Sequence, residues 1–214
     1  VIKLLMFDLD GTLVNTAADI TNALNYAIEP HGIEKLTVER TISMVGEGIT
    51  RLVEKLLGEE RKPIMQDVLD RFLDYYSAHL LDHSLPYPGV RETLERLAAY
   101  KKAVISNKRE GLSRRLLEEL QLSYFFDAVL GSDSVDERKP SPKPLIHLME
   151  IFAARPEEAV IIGDSQYDIQ AGKAAGVRTI AATYGYRDKR FLTAADLMIG
   201  KIDELPHALE KLDG

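Results

Sequence analysis

Four short apolar runs, KKAVISN (101–107), FDAVLGS (126–132), EAVIIGDS (158–165) and VRTIAAT (177–183), are separated by amphipathic stretches and bounded by polar or glycine-containing turns. Apolar runs too short for helices, alternating with helical periodicity, predict parallel strands joined by helical crossovers. The run from Ile2 to Phe7 adds a fifth strand, and the weaker DLMIG (196–200) extends one edge. The expected fold is α/β: a Rossmann-like, mostly parallel sheet flanked by helices.

The texture between Thr16 and Ser84 differs. Ile20, Leu24, Ala27 and Ile28 share one helical face; Ile49, Leu52, Val53, Leu56 and Leu57 repeat the pattern, as do Ile64, Val68, Leu69, Phe72 and Leu73. Thr16 with Asp19 resembles a capping box at the first of these helices. No strand is expected here, so residues 16–84 read as an all-helical insertion after the first strand, and residues 1–15 and 85–214 as the core domain. At 214 residues and 45% hydrophobic, the chain can bury such a core. A formal charge of -7 without a long basic run argues against nucleic-acid binding. No apolar run is long enough for a bilayer span and no signal-type leader is visible, so no membrane partner is expected and the location is expected to be cytoplasmic. The absence of cysteine excludes disulfides and thiolate metal sites.

In an open parallel sheet the reactive groups gather beyond the carboxyl ends of the strands. There the first strand carries Asp8 and Asp10, the second Ser106, Asn107 and Lys108, and the fourth Asp164, with Asp168 four residues on; Lys139 follows the third. Residues two apart on a strand face the same side, so Asp8 and Asp10 share one small space. Two buried carboxylates repel each other and demand a cation. Gly11 permits a sharp turn and Thr12 a local hydrogen bond. Ser106 and Asn107 offer a hydroxyl and amide donors suited to phosphoryl oxygens, and Asp168 shares a helical face with Asp164. His79 and His83 have metal-compatible spacing but no third ligand, and read as surface residues.

DLDGT (8–12), the Ser-Asn pair, KPSP (139–142) and GDSQYD (163–168) occur in the order of the four motifs of the haloacid dehalogenase-like hydrolases, and the chain resembles that family along nearly its whole length. VGEGITRL (45–52), SNK (106–108) and TYGYR (183–187) further resemble its phosphoglycolate phosphatase group. The resemblance implies that the helical insertion is a cap, that Asp8 is the nucleophile and a metal ligand, and that Asp10 binds metal through its carbonyl while its side chain acts as acid and base. It implies also that Asp164 is the third metal ligand, supported by Asp168, and that Lys139 rather than Lys143 serves the phosphate. Mg²⁺, which prefers oxygen ligands and keeps waters, suits this set.

The implied activity is Mg²⁺-dependent hydrolysis of a small anionic phosphomonoester such as 2-phosphoglycolate through an aspartyl-phosphate. Other capped members, namely sugar-phosphate phosphatases, pyrophosphatases and phosphomutases, remain alternatives, and a phospho-receiver module is a more distant one. The expected partner is a small phosphorylated metabolite, and the chain is expected to be a monomer or homodimer. In the cap, Gly46 and Gly48 would admit close backbone approach, and Arg51 offers a planar fork to a substrate carboxylate.

Overall fold

The computed structural model describes all 214 residues, Val1–Gly214. Six parallel strands form one sheet: β1 (Leu4–Phe7), β2 (Lys101–Ile105), β3 (Ala128–Leu130), β4 (Ala159–Gly163), β5 (Arg178–Ala182) and β6 (Leu197–Ile199). Their spatial order is β3-β2-β1-β4-β5-β6. The expected α/β fold is present, with DLMIG as the edge strand. Central strands of a parallel sheet are covered on both faces and therefore read as unbroken apolar runs. Leu4, Leu5, Met6 and Phe7 are accordingly all fully buried. One face packs Leu4, Met6, Ala103, Ile105 and Ile161 against Leu145, Leu148 and Ala171 from flanking helices.

Register brings the chemistry together. Phe7 lies opposite Val104 on β2 and Ile162 on β4. The next residues along each strand therefore converge, which puts Asp8, Ser106 and Asp164 at one sheet edge, and the Asp8 amide still donates to the Ile162 carbonyl at 2.9 Å.

The chain divides into two compact units, one of Val1–Asn15 with Pro86–Gly214 and one of Thr16–Leu85. The second unit is all-helical, with α1 (Ala17–Ile28), α2 (Val38–Met44), α3 (Ile49–Leu57) and α4 (Met65–Ala78). Within it, α1 buries Ile20, Ala23, Leu24, Ala27 and Ile28, and α4 buries Val68, Phe72 and Tyr76. Tyr75 stacks on Tyr26 at 4.5 Å and Tyr76 on Phe72 at 5.2 Å, so both tyrosines pack.

The expected capping box at α1 is absent. Thr16 makes no side-chain cap bond. Asp19 is buried instead, and its Oδ2 accepts from the Ser84 hydroxyl at 2.6 Å and from the Ser84 and His83 amides at 2.8 and 3.0 Å. A carboxylate that gains three donors at the end of the unit outcompetes a single local cap. His79 Nδ1 pairs with Asp82 at 2.8 Å. No helix is long and apolar enough to cross a membrane.

Candidate active site

Gly11 turns the chain directly after β1. Its φ is +84°, in the left-handed region, and a Cβ there would collide with the Asp164 carboxylate. Glycine is therefore required twice over, by conformation and by space. The turn presents Asp8, Asp10 and Thr12 together. Asp8 Oδ1 accepts the Leu9 amide at 2.7 Å and lies 3.0 Å from Lys139 Nζ. Thr12, fully buried, donates its hydroxyl to Asp164 Oδ1 at 3.3 Å.

Lys139 is the hub of the site. Its ammonium has three N–H donors. The Ile105 carbonyl accepts one at 2.8 Å, Asp168 Oδ1 another at 2.6 Å, and Asp8 lies within reach of the third. Burial alone would lower its proton affinity, but the charges of Asp168 and Asp8 outweigh burial and hold it above the usual lysine range. The Asn107 amide donates to the Lys139 carbonyl at 2.9 Å, so this side chain fixes the lysine's backbone. Lys143, by contrast, begins a helix at Lys143–Ile151 and forms an exposed ion pair with Glu137.

Asp168 is buried in the first turn of the helix Gln166–Ala175. Its Oδ2 accepts the Ser165 amide at 3.1 Å and hydroxyl at 2.6 Å, a capping box that pins the carboxylate under Lys139. Ser106 is buried, and its Oγ accepts the Lys108 amide at 3.1 Å.

Three carboxylates, on Asp8, Asp164 and Asp168, offer oxygens that lie within 4.8 Å of one another. Burial, then the charge of Asp168, push the Asp8 carboxyl well above the usual range, with Asp164 adding to the rise and Lys139 only partly offsetting it. Burial and Asp168 likewise push Asp164 up to about 7, against the Tyr186 amide, which donates to its Oδ2 at 2.6 Å. One lysine thus leaves an excess of buried negative charge. An all-oxygen donor set in that condition fits a hard divalent cation such as Mg²⁺. Asp168 turns one oxygen to Lys139 and the other to Ser165, and Asp164 turns one to Thr12 and the other to the Tyr186 amide, whereas both contacts of Asp8 fall on Oδ1.

Gly46, Gly48 and Arg51 belong to the helical unit. Gly46 and Gly48 have φ of +126° and +83°, and Gly48 precedes α3. Arg51 is 58% exposed and pairs with Glu54 at 2.6 Å.

The sequence matches the haloacid dehalogenase-like hydrolase family over residues 5–182. The chain belongs to that family. Within it, the chain is 40% identical over 211 residues to a phosphoglycolate phosphatase of Chromobacterium violaceum, covering 95% of each protein. It is 38% identical over 186 residues to a phosphoglycolate phosphatase of Aquifex aeolicus, covering 86% of each. A crystal structure of a predicted phosphoglycolate phosphatase from Haemophilus somnus superposes with a TM-score of 0.90 at 28% identity, over 97% of this chain and 98% of that one. The resemblance carried by the four motifs is therefore real family membership.

Three features of this hydrolase's site were not legible from the motifs. Lys108 Nζ pairs with Asp10 Oδ1 at 2.6 Å, with side-chain exposures of 7% and 13%. Lys108 stands in the SNK stretch at a strand end, but nothing in the motif says that Asp10 is its partner. A Cβ on Gly185 would strike Asp164, so glycine there lets the Tyr186 amide reach that carboxylate. Tyr184 donates its hydroxyl to the Thr12 carbonyl at 2.9 Å. The Ser165–Asp168 cap was within reach of the sequence, since Ser-x-x-Asp is a capping pattern.

Proposed function

We propose that this chain is a phosphomonoesterase acting on 2-phosphoglycolate, with Asp8 as nucleophile. The observation that carries the reading is the buried Asp8 carboxylate held by Lys139 at 3.0 Å beside the carboxylate cluster, in a chain whose relatives at 40% and 38% identity are phosphoglycolate phosphatases.

Both protein contacts of Asp8 fall on Oδ1, which leaves Oδ2 to attack phosphorus. The P–O bond to the leaving alkoxide breaks as the new one forms, giving an aspartyl-phosphate. Asp10, two residues along on the same edge, gives its proton to the leaving oxygen. It then takes one from the water that attacks phosphorus and frees Asp8. Lys139 and the Ser106 hydroxyl meet the phosphoryl oxygens, with Thr12 and Asn107 holding Asp164 and Lys139 in place. Asp8, Asp164 and the Asp10 carbonyl would hold Mg²⁺, which supplies charge neutralisation for the incoming phosphate. The helical segment, residues 16–84, takes the role of the cap.

Phosphate release from 2-phosphoglycolate in Mg²⁺ buffer tests this. Asp8→Asn keeps the shape but removes the nucleophilic charge, so turnover should fall by ~10³ or more with circular dichroism unchanged. A folded Asp8→Asn protein with near-normal turnover overturns the mechanism.

A further inference from the structure

We propose that Lys108 is the specificity residue of this site, its ammonium receiving a carboxylate that the substrate carries two bonds from the scissile oxygen. The class of substrate is a phosphorylated 2-hydroxy acid. The proposal rests on the reading of the site given above and adds the group that recognises the substrate's second anion.

Lys108 is held at both ends of its peptide unit. Its amide donates to Ser106 Oγ at 3.1 Å and its carbonyl accepts the Ser132 amide at 2.9 Å. Its side chain is buried and its Nζ lies 2.6 Å from Asp10 Oδ1. The cation is thus built into the loop that presents the phosphoryl-binding serine, against the acid that serves the leaving group. Desolvating a lysine is expensive, and a structure that needed only to hold Asp10 has cheaper neutral donors available.

The geometry follows from where Asp10 must act. To protonate the leaving oxygen, an Asp10 oxygen must come within about 2.8 Å of it, so Lys108 Nζ stays within about 5.5 Å of the leaving oxygen when Oδ1 acts and within about 7.5 Å when Oδ2 acts. In a phosphorylated 2-hydroxy acid the carboxylate oxygens lie only about 3 to 3.5 Å from the same atom, by standard bond lengths. A carboxylate oxygen can therefore contact Nζ while Asp10 keeps its own contact, because an ammonium has three donors. Lys139 is not placed for this part, because its ammonium is held by the Ile105 carbonyl, Asp168 and Asp8, beside the nucleophile rather than beside the acid that serves the leaving group. Arg51 is exposed and held by Glu54.

The test compares kcat/KM on 2-phosphoglycolate and on 2-hydroxyethyl phosphate, whose leaving group has the same length with an alcohol in place of the carboxylate. Wild type should prefer 2-phosphoglycolate. Lys108→Met should lose tens to about 100-fold on 2-phosphoglycolate, the size of a charge-assisted contact, and no more than about 5-fold on 2-hydroxyethyl phosphate. Lys108→Arg should recover part of the preference, and Lys108→Gln gives the same comparison if the methionine variant does not fold. Equal losses on both substrates would reduce Lys108 to a holder of Asp10 and overturn the proposal. So would a preference that survives Lys108→Met but vanishes in Arg51→Ala. A wild type without any preference would instead sink the phosphoglycolate reading, before Lys108 is tested at all.

Discussion

Replacing Asp164 by asparagine measures what it costs to gather three carboxylates around one lysine. Burial, and then the charge of Asp168, raise the folded-state value of Asp164 from 3.8 to about 7; the Tyr186 amide, Lys139 and Arg187 oppose the rise. Tyr87 and Tyr184 also face this charge and, raised first by burial, stay neutral across the range tested. Between pH 3.8 and about 7 the folded state keeps a proton that the unfolded state has lost, so stability falls as pH rises through that window. Below it the two states bind the proton alike. At about 1.4 kcal/mol for each unit, the penalty is on the order of one to two kcal/mol at pH 5 and several kcal/mol at pH 8. Asparagine has no proton to lose and can replace both contacts, its oxygen accepting from the Tyr186 amide and its NH₂ donating to the Thr12 hydroxyl. In chelator at pH 8, Asp164→Asn should therefore melt roughly 10 °C above wild type, with a smaller gain at pH 5. Adding Mg²⁺ should raise the wild-type Tm through mass action and the variant's much less. Thermal melts at both pH values, with and without Mg²⁺, give the answer. A variant no more stable than wild type in chelator at pH 8, or a gain that does not shrink at pH 5, would refute this account of the cluster.

Lys139→Met should cost ~3–5 kcal/mol in urea unfolding at pH 8, because it strands the buried carboxylates of Asp8 and Asp168 without their shared cation. Unchanged stability would mean that the carboxylates find other partners. Asp10→Asn should slow alkyl phosphates far more than aryl phosphates, whose leaving oxygens need little protonation. Steady-state rates on one ester of each kind decide it, and equal losses would remove Asp10 as the acid.

The sheet was readable because its strands are covered on both sides. Leu4 to Phe7 and Ala159 to Gly163 have no polar face to confuse with a loop. The helical unit was readable to the extent that burial follows period. Val68 and Phe72 are buried as their spacing implies, while Leu69 and Leu73 are only half-buried, and Tyr76 completes the stripe. Asp19 failed because a capping pattern is a local statement. The partners that claimed its carboxylate lie 64 and 65 residues away at His83 and Ser84, and nothing within four residues of Asp19 announces them.

The same division runs through the site. Asp8, Asp10 and Asp164 could be found because a carboxylate closing a buried strand is anomalous in itself, and the parallel register then forces neighbouring strand ends together. The groups that make those carboxylates tolerable come from loops, where no period operates. Tyr186 acts through its amide, a donor every residue but proline possesses, so its identity carries no trace of the role. What the sequence does hold is the glycine that admits it, since Gly185 and Gly11 both leave room against Asp164 that any side chain would fill. Asn107 looks like a phosphate donor, and its amide also fixes the backbone of Lys139, a contact the motif does not announce. Lys108 stands at the strand end that the sequence marks, but its pairing with Asp10 shows only in the structure. The motifs thus mark the carboxylates and Lys139, whereas the further contacts that hold them, the Tyr186 amide on Asp164 and Lys108 on Asp10, become visible only when loops distant in sequence are placed side by side.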